Sequence, residues 1–162
     1  MHAPKRTNPD VVAAPLGRYS HLVEVPPGHR LCFISGQVGV RPDGSLAGVE
    51  VAAQAEAALA NIDALLGAAG ATPDQLIRLQ SFVVGRENLP GFRTALGVAY
   101  DRWYAAVNAE RQPTEAGPPE PNGPPGHTLL VVAGLAAPEL LVEIEAWFAV
   151  PPEPARRQIV PA

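Results

Sequence analysis

Two short stretches decide how this chain folds: ISGQVG at residues 34–39 and VEIEA at residues 142–146. In the second stretch two glutamates alternate with apolar residues, as in a strand whose two faces differ. In the first, a Ser-Gly-Gln corner ends an apolar strand far away in the sequence. Charged groups in a half-buried strand are unfavourable unless they are paired or used. The two stretches therefore indicate a sheet that carries a site.

The last strand has two different faces. One face is uniformly apolar and is expected to pack under helices, and it comprises Leu140, Val142, Ile144, Ala146, Phe148 and Val150. The other face places two carboxylates between large apolar side chains, and it comprises Leu141, Glu143, Glu145 and Trp147. This second face is too apolar for solvent and too charged for an ordinary core. We therefore expect it to form a subunit interface that contains a polar site.

The rest of the pattern predicts an α+β fold in which two helices pack on one face of a mixed β-sheet. Apolar residues at helical spacing predict helices over residues 49–69 and 89–106. Strands are predicted at residues 19–25, 30–38, 76–84, 127–134 and 140–150. The predicted order is ββ-α-β-α-ββ, with the last two strands joined by a short turn. This order is typical of a two-layer α+β architecture.

The domain is predicted to span residues 16–150. Residues 1–15 are polar and proline-containing and are expected to form a flexible leader. Residues 151–162 are expected to form a C-terminal tail. Within the domain, residues 112–126 are rich in proline and glycine, which cannot continue a helix or a sheet. We expect this segment to form a mobile flap.

Composition excludes several classes of function. The 162 residues carry a formal net charge of -4 and no basic stripe, which argues against a nucleic-acid partner. There is no apolar run of membrane-spanning length, so we expect no membrane partner. The single cysteine, Cys32, lies in an apolar strand and fits a reducing cytoplasm. The four histidines lack metal-ligand spacing, and no glycine-rich phosphate loop is present. We expect neither a metal nor a cofactor.

The chain resembles the Rid family (reactive intermediate deaminases, also called YjgF proteins), and the resemblance covers residues 16–150. The matching elements are Tyr19 after Leu16-Gly17-Arg18, the Ile34-Ser35-Gly36-Gln37 corner, Gln54 with Asn61, Ala69-Gly70, Phe82-Val83, Tyr100-Asp101-Arg102-Trp103-Tyr104 and Glu143-Ile144-Glu145-Ala146. The resemblance implies a chorismate-mutase-like fold. It also implies a homotrimer whose sheets form a central barrel, with ligand clefts at the subunit interfaces.

The resemblance also implies a site for hydrolysis of imines or enamines. Glu143 matches the glutamate that orients the attacking water, and Tyr19, Ser35 and Gly36 match positions that line the pocket. In the family an arginine at the start of the penultimate strand holds the substrate carboxylate. That position falls on His127, or on Glu115 in another alignment, and neither side chain is a guanidinium fork.

The sequence therefore favours a homotrimer that binds a small metabolite and is not an efficient imine deaminase. The candidate catalytic residue is Glu143, and the candidate ligand-binding residues are Tyr19, Ser35, Gly36 and His127. The alternative is an active deaminase whose carboxylate clamp is His127, Arg93 or Arg111. An RNA-cleaving role is a third hypothesis, which the acidic net charge opposes.

Overall fold

The computed structural model describes residues 3–109 and 123–152. Within these residues the helices are α1 (Val51–Ala68) and α2 (Leu89–Ala109). Two short 3-10 helices lie between them in the sequence, at Pro73–Gln75 and at Arg86–Asn88. The strands are β1 (Lys5–Thr7), β2 (Leu22–Glu24), β3 (Arg30–Val38), β4 (Leu76–Val84), β5 (Gly126–Val132) and β6 (Val142–Val150). The predicted α+β fold is confirmed.

The main sheet is mixed and has the order β3-β6-β4-β5. Strand β6 pairs antiparallel with both β3 and β4, whereas β5 pairs parallel with β4 at the sheet edge. The two last strands are therefore consecutive in sequence but are not neighbours in the sheet. A parallel pair needs a long crossover connection, which α2 and the segment after it provide between β4 and β5.

The core lies between the two helices and one face of the sheet. Helix α1 packs on β3 and β6, and α2 lies beside α1. The alternation predicted for the last strand is confirmed, since Val142, Ile144 and Ala146 are completely buried. The apolar stripe predicted for α1 is also buried up to Leu66, whereas Ala69 at its end and the flanking Leu65 are exposed.

Gln54 is a polar residue inside this core, and it fixes the entry into β6. Its side-chain amide donates hydrogen bonds to the carbonyls of Gly48 and Glu139, and its carbonyl accepts one from the backbone N–H of Leu141. All three bonds involve backbone groups that have no strand partner at that point. A buried amide satisfied in this way holds the start of β6 in register.

Strand β1 was not expected, because residues 1–15 read as a flexible leader. It pairs antiparallel with β2 in a separate two-stranded sheet. Its central residue, Arg6, has a fully buried side chain. The guanidinium of Arg6 donates to the carbonyls of Asp74 (2.9 Å), Leu76 (2.6 Å) and Gly123 (2.8 Å). Strand β1 is thus attached to the start of β4 and to the residues before β5.

The predicted flap over residues 112–126 falls largely outside the described residues. Its last residues are described and are held in place from the segment before β2. The hydroxyl of Ser20 donates to the carbonyl of Pro124 at 2.6 Å, and the backbone N–H of Ser20 donates to the carbonyl of Pro125. Gly126 already belongs to β5. The start of β5 is therefore fixed by two separate attachments, from Arg6 and from Ser20.

Candidate functional site

The predicted site residues lie on two opposite faces of the sheet. Ser81 in β4 pairs with Ile144 in β6, and both side chains are fully buried on the side of the sheet that faces the helices. The imidazole of His127 contacts Ser81 on this same side. Glu143 precedes Ile144 in the same strand, so its side chain points to the other, open face. A single copy of the chain therefore does not bring His127 and Glu143 together.

The helix side of the sheet holds a cavity of about 440 Å³ between α2, the first residues of β5 and residues 16–19. Its polar lining consists of Arg18, Tyr19, Arg93, Tyr100 and His127. Its apolar lining consists of Leu16, Phe92, Leu96 and Leu129. Two of the predicted binding residues, Tyr19 and His127, therefore share one cavity. Ser35, Gly36 and Glu143 do not line it.

His127 is neutral at physiological pH. Its Nε2 lies 2.9 Å from the hydroxyl of Ser81, and its ring lies 6.3 Å from that of Phe92. Burial, and to a smaller extent the charge of Arg78, lowers the pKa of His127 to about 4. A neutral imidazole can donate a hydrogen bond to a carboxylate but cannot form an ion pair with it. His127 therefore does not replace an arginine clamp in charge.

The positive charge of the cavity comes instead from Arg18 and Arg93. Arg18 already has partners, since its guanidinium lies 2.7 Å from the carboxylate of Asp101, donates to the carbonyl of Gly97, and stacks over the ring of Tyr100 at 5.5 Å. Arg93 is exposed, and among the described residues it has no hydrogen-bond or ion-pair partner. Arg93 is thus the cavity cation whose charge is available to a ligand.

The two tyrosines of the cavity differ in their surroundings. The hydroxyl of Tyr19 accepts a hydrogen bond from the backbone N–H of Leu16, and its ring meets that of His21 edge-on. The side chain of Tyr100 is completely buried, and its hydroxyl has no hydrogen-bond partner within the described part of the chain. Burial raises the pKa of Tyr100 far above its ordinary value, so the phenol stays protonated and can donate.

On the open face, Glu143 lies directly against the corner of β3. The register between β3 and β6 shifts between Ile34 and Gln37, which marks a bulge at Ser35 and Gly36. A side chain at Gly36 would overlap the carboxylate of Glu143, so the glycine makes room for that carboxylate. Ser35 is exposed beside it. These three predicted site residues therefore form a second group, separate from the cavity.

Large apolar groups surround this second group. Phe33 is 69% exposed and Leu31 is 60% exposed, although both lie in the nine-residue strand β3. Phe33 in β3 meets the ring of Trp147 in β6 edge-on, and the two ring centres lie 6.1 Å apart. On the other side of β6, the guanidinium of Arg78 in β4 lies 5.3 Å from the centre of the Trp147 ring. Exposed aromatic residues on the open face of a sheet are typical of an interface.

Sequence reasoning did not single out Arg18, which lines the cavity, and it named Arg93, which also lines the cavity, as an alternative cation. Arg18 precedes Tyr19, and that proximity was the available signal. Arg111 and Glu115, the other two candidates for the clamp position, lie outside the described residues. Within residues 3–109 and 123–152, no cluster of metal-ligating side chains is present, and no helix is long and apolar enough to cross a membrane.

The fold and this arrangement define a class of α+β proteins with two helices on one side of a mixed sheet. The sequence profile of the family described as Endoribonuclease L-PSP matches residues 11–150. The chain belongs to this family, which is the Rid/YjgF family. No curated protein shows significant similarity to the chain.

Solved structures agree with this assignment. YyfB of Yersinia pestis, a protein of unknown function of the conserved Rid family, is 30% identical, with a TM-score of 0.72 and coverage of 92% of this chain and 100% of that chain. Rv2704 of Mycobacterium tuberculosis, from the YjgF/YER057c/UK114 family, is 24% identical, with a TM-score of 0.52 and coverage of 91% of this chain and 100% of that chain. TdcF of E. coli with bound serine is 20% identical, with a TM-score of 0.59 and coverage of 93% and 99%.

Proposed function

We propose that the protein is a cytoplasmic homotrimer that binds a small carboxylate metabolite in clefts between subunits and is not an efficient imine deaminase. Each cleft combines the cavity of one copy, with Tyr19 and His127, and the open-face group of a neighbouring copy, with Ser35, Gly36 and Glu143. In this cleft Glu143 is the group that would orient a water molecule.

The observation that carries the proposal is the separation of the two groups by the sheet. Neither group alone contains all the elements of a ligand site, because the described lining of the cavity includes no carboxylate and Glu143 does not line that cavity. The open face is also the surface that exposes Phe33, Leu31 and part of Trp147. Contact between this face and another copy would bury the exposed apolar area and complete the site in one step.

The reduced activity follows from the neutral state of His127 at the start of β5. A small imino acid offers few contacts besides its carboxylate, so its orientation for hydrolysis depends on a charge-assisted pair at that position, which Arg93 on the α2 wall of the cavity does not occupy. Removal of one partner from a buried charge pair typically weakens binding by about 2–5 kcal/mol. His127 can contribute a hydrogen bond to the ligand but not the ionic part of this interaction. We therefore expect slow turnover of small imino acids.

An active deaminase with a different clamp is the second candidate. It is favoured by the position of Arg93, an arginine of the cavity lining that has no partner among the described residues. Arg93 would then hold the carboxylate while Glu143 of the neighbouring copy orients the water. This candidate predicts substantial hydrolysis that depends on both residues.

The test uses two matched substitutions of exposed apolar residues. Phe33→Glu places a charge on the open face, and Val98→Glu places one on α2, where Val98 is 59% exposed. We expect sedimentation to give a trimer mass for the wild type and for Val98→Glu, and a monomer for Phe33→Glu. Ligand-detected NMR with a panel of carboxylates, from L-serine to phenylpyruvate, should show binding only for the two trimers.

Three results would contradict the proposal. A monomeric wild type at micromolar concentration would remove the shared cleft. Equal carboxylate binding by a monomeric Phe33→Glu variant would show that one copy holds a complete site. Rapid hydrolysis of small imines by the wild type, lost in Arg93→Gln, would establish the second candidate instead.

A further inference from the structure

We infer that the ligand of this cleft is a carboxylate with an apolar, aromatic-sized body, and that Arg93 holds its carboxylate group. The inference rests on the proposed function, because it names the class of ligand for that same cleft. It moves the anion contact from the start of β5, where His127 lies, to the α2 wall of the cavity. The apolar body then lies between α2 and β5.

Charge is the first step of the argument. Among the described residues, the cavity lining contains two guanidinium groups and no carboxylate. The charge of Arg18 is compensated by Asp101 at 2.7 Å, and its position is fixed by the bond to the carbonyl of Gly97. Arg93 retains an uncompensated charge among the described residues. Among the described residues the cavity therefore offers one uncompensated positive charge, which favours an anionic ligand over a neutral one.

Size and polarity are the second step. About 440 Å³ lies within the range of roughly 300–1,000 Å³ found for sites of drug-sized ligands. An acid of three carbons would leave much of this space unfilled. Phe92, Leu96 and Leu129 supply apolar walls from α2 and from β5. A planar apolar group between these walls would displace water from apolar surface, which contributes affinity that a small acid lacks.

The experiment compares three probes by isothermal titration calorimetry at pH 7.5: phenylacetate, its neutral amide phenylacetamide, and acetate. The variants are Arg93→Gln, His127→Gln and the control Arg86→Gln. Arg86 is also an exposed arginine near the start of α2, but it does not line the cavity. Because Arg93 and Arg86 are exposed, both variants should fold, and circular dichroism checks this.

We expect the wild type to bind phenylacetate at least tenfold more tightly than either phenylacetamide or acetate. Arg93→Gln should weaken phenylacetate binding at least tenfold, whereas Arg86→Gln should change it less than twofold. His127→Gln should have a smaller effect than Arg93→Gln, because it removes no charge.

Failure of this inference can be told apart from failure of the proposed function. If acetate binds as well as phenylacetate, or if Arg93→Gln binds phenylacetate as tightly as the wild type does, the inference is wrong and the carboxylate cleft remains. If no carboxylate binds to a wild-type trimer, the inference and the proposed function are both wrong.

Discussion

The Nε2 of His127 lies 2.9 Å from the hydroxyl oxygen of Ser81, and this pair joins β5 to the buried side of β4. Ser81 is completely buried, so its hydroxyl requires a partner inside the protein. His127 supplies that partner, and in doing so it is withdrawn from water. Burial of the ring at this position, together with the charge of Arg78, lowers the pKa of His127 and keeps the histidine neutral.

This relationship predicts a pH-dependent loss of stability. The pKa of His127 is about 4 in the folded protein and about 6.5 when unfolded, because burial and, to a smaller extent, the charge of Arg78 disfavour the charged imidazole. Between these two values the unfolded state binds more protons. The contribution of His127 is thus present above pH 6.5 and is lost as the pH falls from 6.5 to 4, by at most about 3 kcal/mol.

Urea unfolding at pH 7.5 and pH 4.5, at one protein concentration, measures this effect. The wild type should lose more stability between the two pH values than His127→Gln, whose side chain can still hydrogen-bond to Ser81 but does not titrate. His21→Gln, at an exposed histidine, should behave like the wild type. An equal pH dependence of stability in the wild type and in His127→Gln would show that the pKa of His127 is not lowered in the folded protein.

The glycine at position 36 provides a second prediction. A Cβ atom there would overlap the carboxylate of Glu143, so Gly36→Ala should displace that side chain and lower the free energy of unfolding by about 1–3 kcal/mol. Gly67→Ala is the matched control, because that helical position has no atom within 4 Å of an added Cβ. It should be neutral or slightly stabilising, since alanine favours helix over glycine.

A double substitution separates the overlap from other effects of the new methyl group. In a Glu143→Ala background, Gly36→Ala should destabilise the protein less than it does in the wild type. Equal effects in the two backgrounds would mean that the close contact between Gly36 and Glu143 is not what requires the glycine.

The fold was largely predictable, whereas the assembly of the site was not. The stripe of α1 and the alternation of β6 are local periodicities, so the sequence contains them directly. The pairing of β5 with β4 rather than β6, and the separation of His127 from Glu143 by the sheet, depend on strand order. Strand order is set by contacts between residues far apart in sequence, which a local pattern does not specify.

The role of Arg6 was missed for the same reason. A leader with several prolines near the chain terminus reads as irregular, and the carbonyls that bind Arg6 lie 68 residues or more away in sequence. Arg93 could be proposed as a cation because the sequence gives its residue type and its position in the predicted second helix. Only the structure shows that it has no partner among the described residues.

Arg6 gives the third prediction. Its side chain is fully buried and donates to backbone carbonyls of three segments, so Arg6→Ala leaves buried acceptors without donors. We expect a loss of about 3 kcal/mol or more in the free energy of unfolding. Arg41→Ala is the control, because Arg41 also donates to two carbonyls, of Leu46 and Ala47, but is exposed to solvent.

Chemical denaturation of the two variants gives the comparison. Arg41→Ala should lower stability by about 1 kcal/mol or less, because water replaces the lost donor. If Arg6→Ala is no more destabilising than Arg41→Ala, strand β1 is not an essential part of the fold, and the start of β5 is held by the contacts of Ser20 alone.

The last prediction concerns the reaction itself. His127→Arg places a guanidinium at the edge of the cavity, where the charge is independent of pH and can bind a carboxylate through two hydrogen bonds. If the missing charge is what limits turnover, this variant should hydrolyse small imino acids at least tenfold faster than the wild type at pH 8, and mainly through a lower KM. The measurement is hydrolysis of imines generated in place by an amino-acid oxidase.

Two further variants show whether the gain comes from the proposed site. His127→Gln should remain as slow as the wild type, because it adds no charge. Glu143→Ala in the His127→Arg background should abolish the gain, because the water-orienting carboxylate of the neighbouring copy would be absent. Fast hydrolysis by the wild type that is unchanged by any of these substitutions would place the chemistry outside this cleft, and a gain that survives Glu143→Ala would exclude Glu143 from it.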